Sequence, residues 1–298
     1  MSPHLALYSL VLLMVLCWSG NYIAAKIVFR EIPAVLAMAL RTMVSGVLML
    51  LIFAAQFARQ KQMPIRMWTR RELGLLAALG LCGIMLNQLF WTLGVARTTV
   101  VHSSMIMATI PVWVLFMAGV MRLERITAPK IGGMTIAIAG IAMLQLFRTS
   151  TAIRAPTLLG DFYVLLGALI FAAMTAFGKR HRPASGGIAV NAVGYIGGAL
   201  VFLPVLWFAG RGFDFSKVTL SAWLGVLYMG AISSVTGYLI YYYALARISA
   251  SRIAAFQYLQ PVFASLMAVF LLGEELTGPL VAAGGVIVAG VCVTERFE

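Results

Sequence analysis

The sequence predicts an all-α integral membrane protein of ten transmembrane helices, arranged as two inverted five-helix repeats. Three observations carry that expectation. Of the 298 residues, 62% are hydrophobic and only 10% are Asp, Glu, Lys or Arg, against about 25% charged in an ordinary soluble domain. The apolar residues gather into ten runs, each close to the roughly 20 residues that a helix needs to cross a bilayer. A shift of 150 residues then lays the first half of the chain on the second. A soluble chain of this length can bury a core, but it still needs a polar surface, and this composition does not supply one. The runs are too long and too unbroken for barrel strands, which alternate over about ten residues. Helices remain as the way to satisfy the backbone in lipid.

The first helix is expected over 6–29. No Lys or Arg precedes its apolar stretch and nine further runs follow, so it reads as a retained helix rather than a cleaved leader. Asn21 lies near its middle. A polar group in hydrocarbon is costly unless paired or hydrated, so Asn21 either faces a cavity and binds substrate or hydrogen-bonds a neighbouring helix. Trp18, about one turn earlier, either walls that cavity or packs. Lys26, near the helix end, either draws a substrate carboxylate or snorkels to headgroups.

The second helix is expected over 33–56 and the third over 72–95. The loop between them holds Arg59, Lys61, Arg66, Arg70 and Arg71, which places it in the cytoplasm. The third helix carries Asn87, Gln88, Phe90 and Trp91. Amides can hold a carboxylate or an ammonium, and rings can stack on an apolar side chain; Trp91 has the alternative of anchoring at the interface. The fourth, 98–121, carries His102, a titratable group with a possible part in proton coupling or none. Ser103, Ser104, Met105 and Met107 follow. Pro111 interrupts the hydrogen-bond ladder at its centre. The fifth, 129–147, holds Gly132, Gly133 and Gly140, small residues that let helices pack closely.

The second half is expected to span at 158–178, 186–209, 219–242, 250–272 and 278–294. Asp161 suits the positive end of the sixth helix. Lys179, Arg180 and Arg182 form a second basic cluster on the cytoplasmic side. In the eighth helix Tyr238 and Tyr242 share a face, with Tyr241 beside Tyr238. In the ninth, Gln257 and Gln260 share a face and line the pathway or pack between repeats. Pro261 takes the place of Pro111, so the two bends either assist gating or are static kinks. Gly284, Gly285 and Gly290 fill the tenth. Alternation along this order puts both termini in the cytoplasm and Glu274 and Glu275 outside.

The repeat is specific. Ala96–Arg97 meets Ala246–Arg247, Pro111–Val112 meets Pro261–Val262, and Met117–Ala118 meets Met267–Ala268. Glu124 meets Glu274, Thr127 meets Thr277, Pro129 meets Pro279, and Ala139–Gly140 meets Ala289–Gly290. The halves divide at 1–150 and 151–298. Five helices per half make the second half enter the membrane from the opposite side. That architecture is common among secondary transporters, whose substrates bind near the midplane where the halves meet.

Other classes lose ground on the same residues. The net charge of +13 falls mostly between apolar runs, where it suits anionic lipid headgroups and not nucleic acid. Cys17, Cys82 and Cys292 are scattered through apolar runs and indicate neither a disulfide framework nor a metal site. No HExxH, GxSxG, GxxxxGK[ST] or intramembrane carboxylate pair occurs, so neither an enzyme nor an ATPase is expected, and no cofactor. No Asp or Glu stands at the centre of a span, which weakens obligate proton coupling and disfavours strongly cationic drugs.

Ten helices in two halves, with Pro111–Glu124 recurring as Pro261–Glu274, resemble the drug/metabolite transporter superfamily, and within it the EamA-type exporters. The run Trp18, Ser19, Gly20 and Asn21, followed by Lys26, is similar to that family too. In the second half the nearest copy is Phe171–Lys179. The resemblance covers essentially the whole chain and is greatest to bacterial exporters of aromatic amino acids, of the kind that also pass Met and Thr. It implies a multi-pass protein of the bacterial inner membrane, monomeric or weakly dimeric, exporting amino acids by alternating access; the missing midplane carboxylate points to an uncoupled facilitator driven by the solute's own gradient. The alternative it leaves open is a broader, proton-coupled metabolite or drug exporter.

Overall fold

The structure is a computed structural model and describes residues 3–60, 68–98, 100–123, 127–146, 157–181, 183–272 and 278–296. Among these, all regular elements are helical. α1 (Pro3–Val28) and α2 (Ala34–Gln60) come first. A three-part helix follows: α3 (Arg70–Ala77), a π-helical segment (Ala78–Met85) and α4 (Leu86–Val95). α5 (Val100–Met107) and α6 (Ile110–Val120) flank a turn at Ala108–Thr109, and α7 (Ala128–Leu146) ends the first half. The second half repeats that order. α8 (Leu158–His181) and α9 (Gly186–Gly210) lead to a short 3-10 turn (Phe215–Lys217). Then come α10 (Leu220–Leu227), a second π segment (Tyr228–Thr236), α11 (Gly237–Leu245), α12 (Ala250–Phe256), α13 (Leu259–Leu272) and α14 (Gly278–Arg296).

Among the described residues, 7 helical stretches are long and apolar enough to cross a membrane: Leu5–Val28, Ala34–Gln56, Arg70–Val95, Leu158–His181, Gly186–Gly210, Leu220–Leu245 and Arg252–Leu271. The remaining expected spans fall on α5 and α6, which the turn divides, and on α7 and α14, whose flanks at 124–126, 147–156 and 273–277 lie outside the described residues. The outward surface is apolar in both halves. Leu50 and Leu51 on α2, and Leu200 and Val201 on α9, are all exposed, as suits contact with lipid.

Local chemistry sets the helix boundaries. Thr69 and Thr219 stand at equivalent places, and each side-chain oxygen accepts the backbone N–H three residues on, at 3.2 Å from Glu72 and 3.4 Å from Ala222. These bonds satisfy donors that a helix start leaves open. The far ends of the same three-part helices are closed by lysines. Lys26 Nζ donates to the carbonyls of Val95 at 3.4 Å and Thr98 at 2.9 Å. Lys179 Nζ donates to those of Leu245, at 2.8 Å, and Ile248. An ammonium at a helix C-terminus meets the negative end of the dipole.

The 150-residue shift also recurs in the packing. A Cβ on Gly140 would lie 2.9 Å from Ile287 N and 3.0 Å from Ala283 O, and one on Gly290 would lie 2.5 Å from Ala137 N and 2.6 Å from Gly133 O. α7 and α14 therefore meet backbone to backbone, each through the other's glycine. Gly80 approaches Gly194 on α9 in the same way, with 2.6 Å to its nitrogen, and Gly230 approaches Val44 on α2 at 2.7 Å. Two carboxylates tie connections together. Glu72 accepts from the Ser185 N–H at 3.0 Å and its hydroxyl at 2.8 Å. Glu31 accepts from the Thr219 N–H and hydroxyl, both at 2.7 Å, and these bonds, the backbone one first, hold its carboxyl below the usual carboxylate range.

Candidate functional site

Between the two halves lies a cavity of about 50 Å³. α1 contributes Trp18, Asn21 and Tyr22, and α2 contributes Arg41. α4 contributes Asn87, Gln88 and Trp91, and Met107 closes the end of α5. From the second half come Phe171 on α8, Ser233 on the π segment, Tyr238 on α11, Gln257 at the break before α13 and Gln260 in the first turn of α13. Of the pathway candidates read from the sequence, all but Tyr242 line this one space.

Polar side chains hold one another in place around it. The Tyr238 hydroxyl donates to Asn87 Oδ1 at 2.8 Å, and Asn87 Nδ2 donates to the Gly167 carbonyl at 2.9 Å. Gln88 Nε2 donates to the Tyr195 hydroxyl, and its Oε1 lies 3.3 Å from the Ser234 hydroxyl. Trp18 Nε1 donates to the Ser233 carbonyl at 3.0 Å. Gly237 permits that arrangement, because a Cβ there would stand 2.5 Å from Trp18 Nε1. The rings of Trp18, Phe171 and Tyr238 meet edge to face, with centroids 5.4 to 6.3 Å apart. Such contacts fix ring orientation.

The prolines sit where the helices break. A proline has no N–H to offer the carbonyl four residues earlier, and its ring crowds that carbonyl. For Pro111 that residue is Met107, and for Pro261 it is Gln257. Both line the cavity, so the two breaks open the backbone beside the site. Lys26 does not line the cavity; its bonds to the end of α4 are described above. Tyr242 packs against Gly187 at the start of α9, where a Cβ would stand 2.4 Å from its own. His102 lies in α5, but its side chain is outside the described residues. Trp91 is buried, 5.3 Å from the Tyr22 ring, so it is no interfacial anchor.

Three lining residues went unread in the sequence: Tyr22, Ser233 and, the one that carries a charge, Arg41. It is 2% exposed, and its guanidinium lies 5.7 Å from the centre of the Trp91 ring. Nη2 donates to Ser234 Oγ at 2.9 Å and to the Met229 carbonyl at 3.4 Å. The second π segment presents that carbonyl, as it does Gly230 O, which accepts from Ser45 at 3.0 Å. An ionisable residue inside a span is by itself a sign of function. Arg41 stands near the start of an apolar run, where it reads as one more flanking charge. The π segments left no signal, since Ala78–Met85 has the composition of any buried helix.

The cavity offers amides, hydroxyls, aromatic faces and a guanidinium, with no carboxylate among its lining residues. Among the described residues no cluster of His, Cys, Asp and Glu could hold a metal. At roughly 10–15 Å³ per water, the space takes a few waters and is too small for a Trp or Phe molecule.

Comparison with known proteins agrees with this architecture. Residues 5–146 and 158–296 each match the EamA-like transporter family. A protein of Archaeoglobus fulgidus named an uncharacterized transporter is 27% identical over 96% of this chain and 96% of its own. The uncharacterized transporter YetK of Bacillus subtilis is 23% identical over 92% of this chain and 82% of its own. A protein of Streptantibioticus cattleyicolor named a probable terminal-alkyne amino-acid exporter is 28% identical over 76% of this chain and 74% of its own. One solved crystal structure superposes with a TM-score of 0.74, covering 98% of this chain and 99% of that one, at 18% identity, a likeness of fold alone.

Proposed function

This chain belongs to the EamA-like transporter family and is a multi-pass membrane transporter, not an enzyme; from that premise we propose that it exports amino acids, aromatic and other neutral ones including Met and Thr, by alternating access. The observation that carries the reading is the small cavity where the halves meet, lined by polar groups suited to a zwitterion and rings suited to its side chain. A relative named a probable amino-acid exporter supports the substrate class. The reciprocal α7–α14 packing and the paired lysine caps support two five-helix repeats, read as inverted with ten spans in all, and the basic loop Arg59–Arg71 supports both termini in the cytoplasm of a bacterial inner membrane. In this arrangement Lys26 and Lys179 close opposite ends of the pathway, and the breaks at Pro111 and Pro261 absorb the bending as one end opens.

The cavity lining lacks a carboxylate, which favours an uncoupled facilitator over a proton antiporter, the usual relay being an intramembrane acid. The deciding measurement is uptake of labelled phenylalanine or tryptophan into liposomes carrying the purified protein, with and without an imposed pH gradient. Saturable uptake at the same rate in both conditions is expected. Uptake only with the gradient would move coupling to a titratable group, with His102 the first to replace. Silence with these and with methionine and threonine would turn the substrate toward other metabolites or drugs.

A further inference from the structure

Arg41 lines the cavity as a buried cation whose protein contacts are all neutral: a hydroxyl, a carbonyl and a tryptophan face. Its Nε and Nη1 have no hydrogen-bond partner. An ion placed inside protein and lipid is costly, and such ions are ordinarily paired. The described carboxylates with resolved contacts are engaged elsewhere: Glu31 with Thr219, Glu72 with Ser185, Asp161 with Thr98, and Asp214 with Ser216 and Lys217. Three further polar atoms lining the cavity are buried and unpaired: Asn21 Oδ1, the Tyr22 hydroxyl and Gln257 Nε2. A guanidinium with open N–H donors, beside amides with open positions, is the complement of a ligand that brings its own carboxylate and its own donors.

We propose that Arg41 is the residue that binds the carboxylate of the transported molecule, and that the Asn21 amide receives the ammonium at its other pole. The inference rests on the amino-acid reading for the ammonium alone; the carboxylate half stands for any small carboxylate with an apolar body. Trp18, Phe171 and Tyr238 hold that body. The site has a direction. The position equivalent to Arg41 in the second half is Asn191, whose Nδ2 is turned back to the Gly187 carbonyl at 2.8 Å. The cavity therefore has its cation on one wall only, and the substrate binds with its carboxylate toward α2.

The test uses full-length protein in liposomes and four labelled probes: phenylalanine, phenylalaninamide, phenylpyruvate and phenethylamine. Wild type is expected to carry phenylalanine and to discriminate against the amide and the amine about tenfold or more, the scale of one lost charged hydrogen bond. Arg41→Gln is expected to raise KM for phenylalanine about tenfold and to abolish that discrimination, while Arg41→Lys retains part of both. Because Arg41→Gln also removes the bond to Ser234, thermal unfolding of wild type with each probe gives a reading free of any variant. Stabilisation by phenylalanine and not by the amide is expected. Transport of phenylpyruvate without phenylalanine would sink the amino-acid reading and keep Arg41 as the carboxylate site. Equal transport of phenylalanine and its amide by wild type, or an unchanged KM in a folded Arg41→Gln, would overturn the Arg41 assignment and leave the amino-acid reading standing. Silence with every probe would overturn both.

Discussion

Gly237 shows how much the cavity depends on what is missing from it. Trp18 Nε1 reaches the Ser233 carbonyl across a gap that a single methyl would fill. Gly237→Val should push the indole out of place, break that bond and weaken substrate binding. A rise in KM of about tenfold is expected, with a loss of about 1–3 kcal/mol in stability from overpacking, read as transport kinetics and detergent-solubilised Tm; kinetics like wild type would remove Trp18 from the site. At this scale the sequence was informative where a residue clashed with its surroundings. Asn21, Asn87, Gln88, Gln257 and Gln260 are conspicuous because amides are costly in hydrocarbon, and they converge on one space. Arg41 escaped because a cation close to the start of a run resembles the cations that flank every run. Tyr242 was selected for sharing a face with Tyr238, but a face of a helix is wider than the cavity it meets.

At the scale of elements, glycines act through the backbone of their neighbours. Gly290 and Gly132 lie in the paired helices α14 and α7, yet only the first is tightly enclosed: a Cβ on Gly132 would meet nothing within 4 Å. Gly290→Leu should cost about 3 kcal/mol, because its obstacles are main-chain atoms that cannot rotate away. Gly132→Ala should be neutral or stabilising by up to about 1 kcal/mol, through helix propensity. Comparison of Tm values in detergent checks both, and equal losses would mean that α7 and α14 do not meet as described. The glycine-rich fifth and tenth runs predicted close packing, and the structure puts it between α7 and α14 of one chain. The π segments of the third and eighth runs, Ala78–Met85 and Tyr228–Thr236, were not legible. Widening a helix by one residue per turn changes which carbonyls turn outward, and no side chain needs to change for that to happen.

For the whole molecule, Lys26 and Lys179 offer a test of the proposed alternating access. Each caps a three-part helix, and the proposed inverted arrangement would set the caps at opposite membrane faces. In a background lacking Cys17, Cys82 and Cys292, a cysteine at Asn21 serves as a reporter. Labelling from outside with an impermeant reagent should rise with Lys26→Met and fall with Lys179→Met. A shift of the same sign in both would contradict the opposed placement. The two-half organisation was legible because duplicated Pro, Arg and Glu survive against an apolar background. The single-sided cavity was not, because Arg41 and Asn191 are among the places where the halves have diverged. That divergence has an electrical consequence. A membrane that stores energy as an ion gradient tolerates no pore that leaks hydronium or sodium. A buried guanidinium repels both. On the proposed reading, the charge assigned to a solute's carboxylate would thus also insulate the membrane against cation leak.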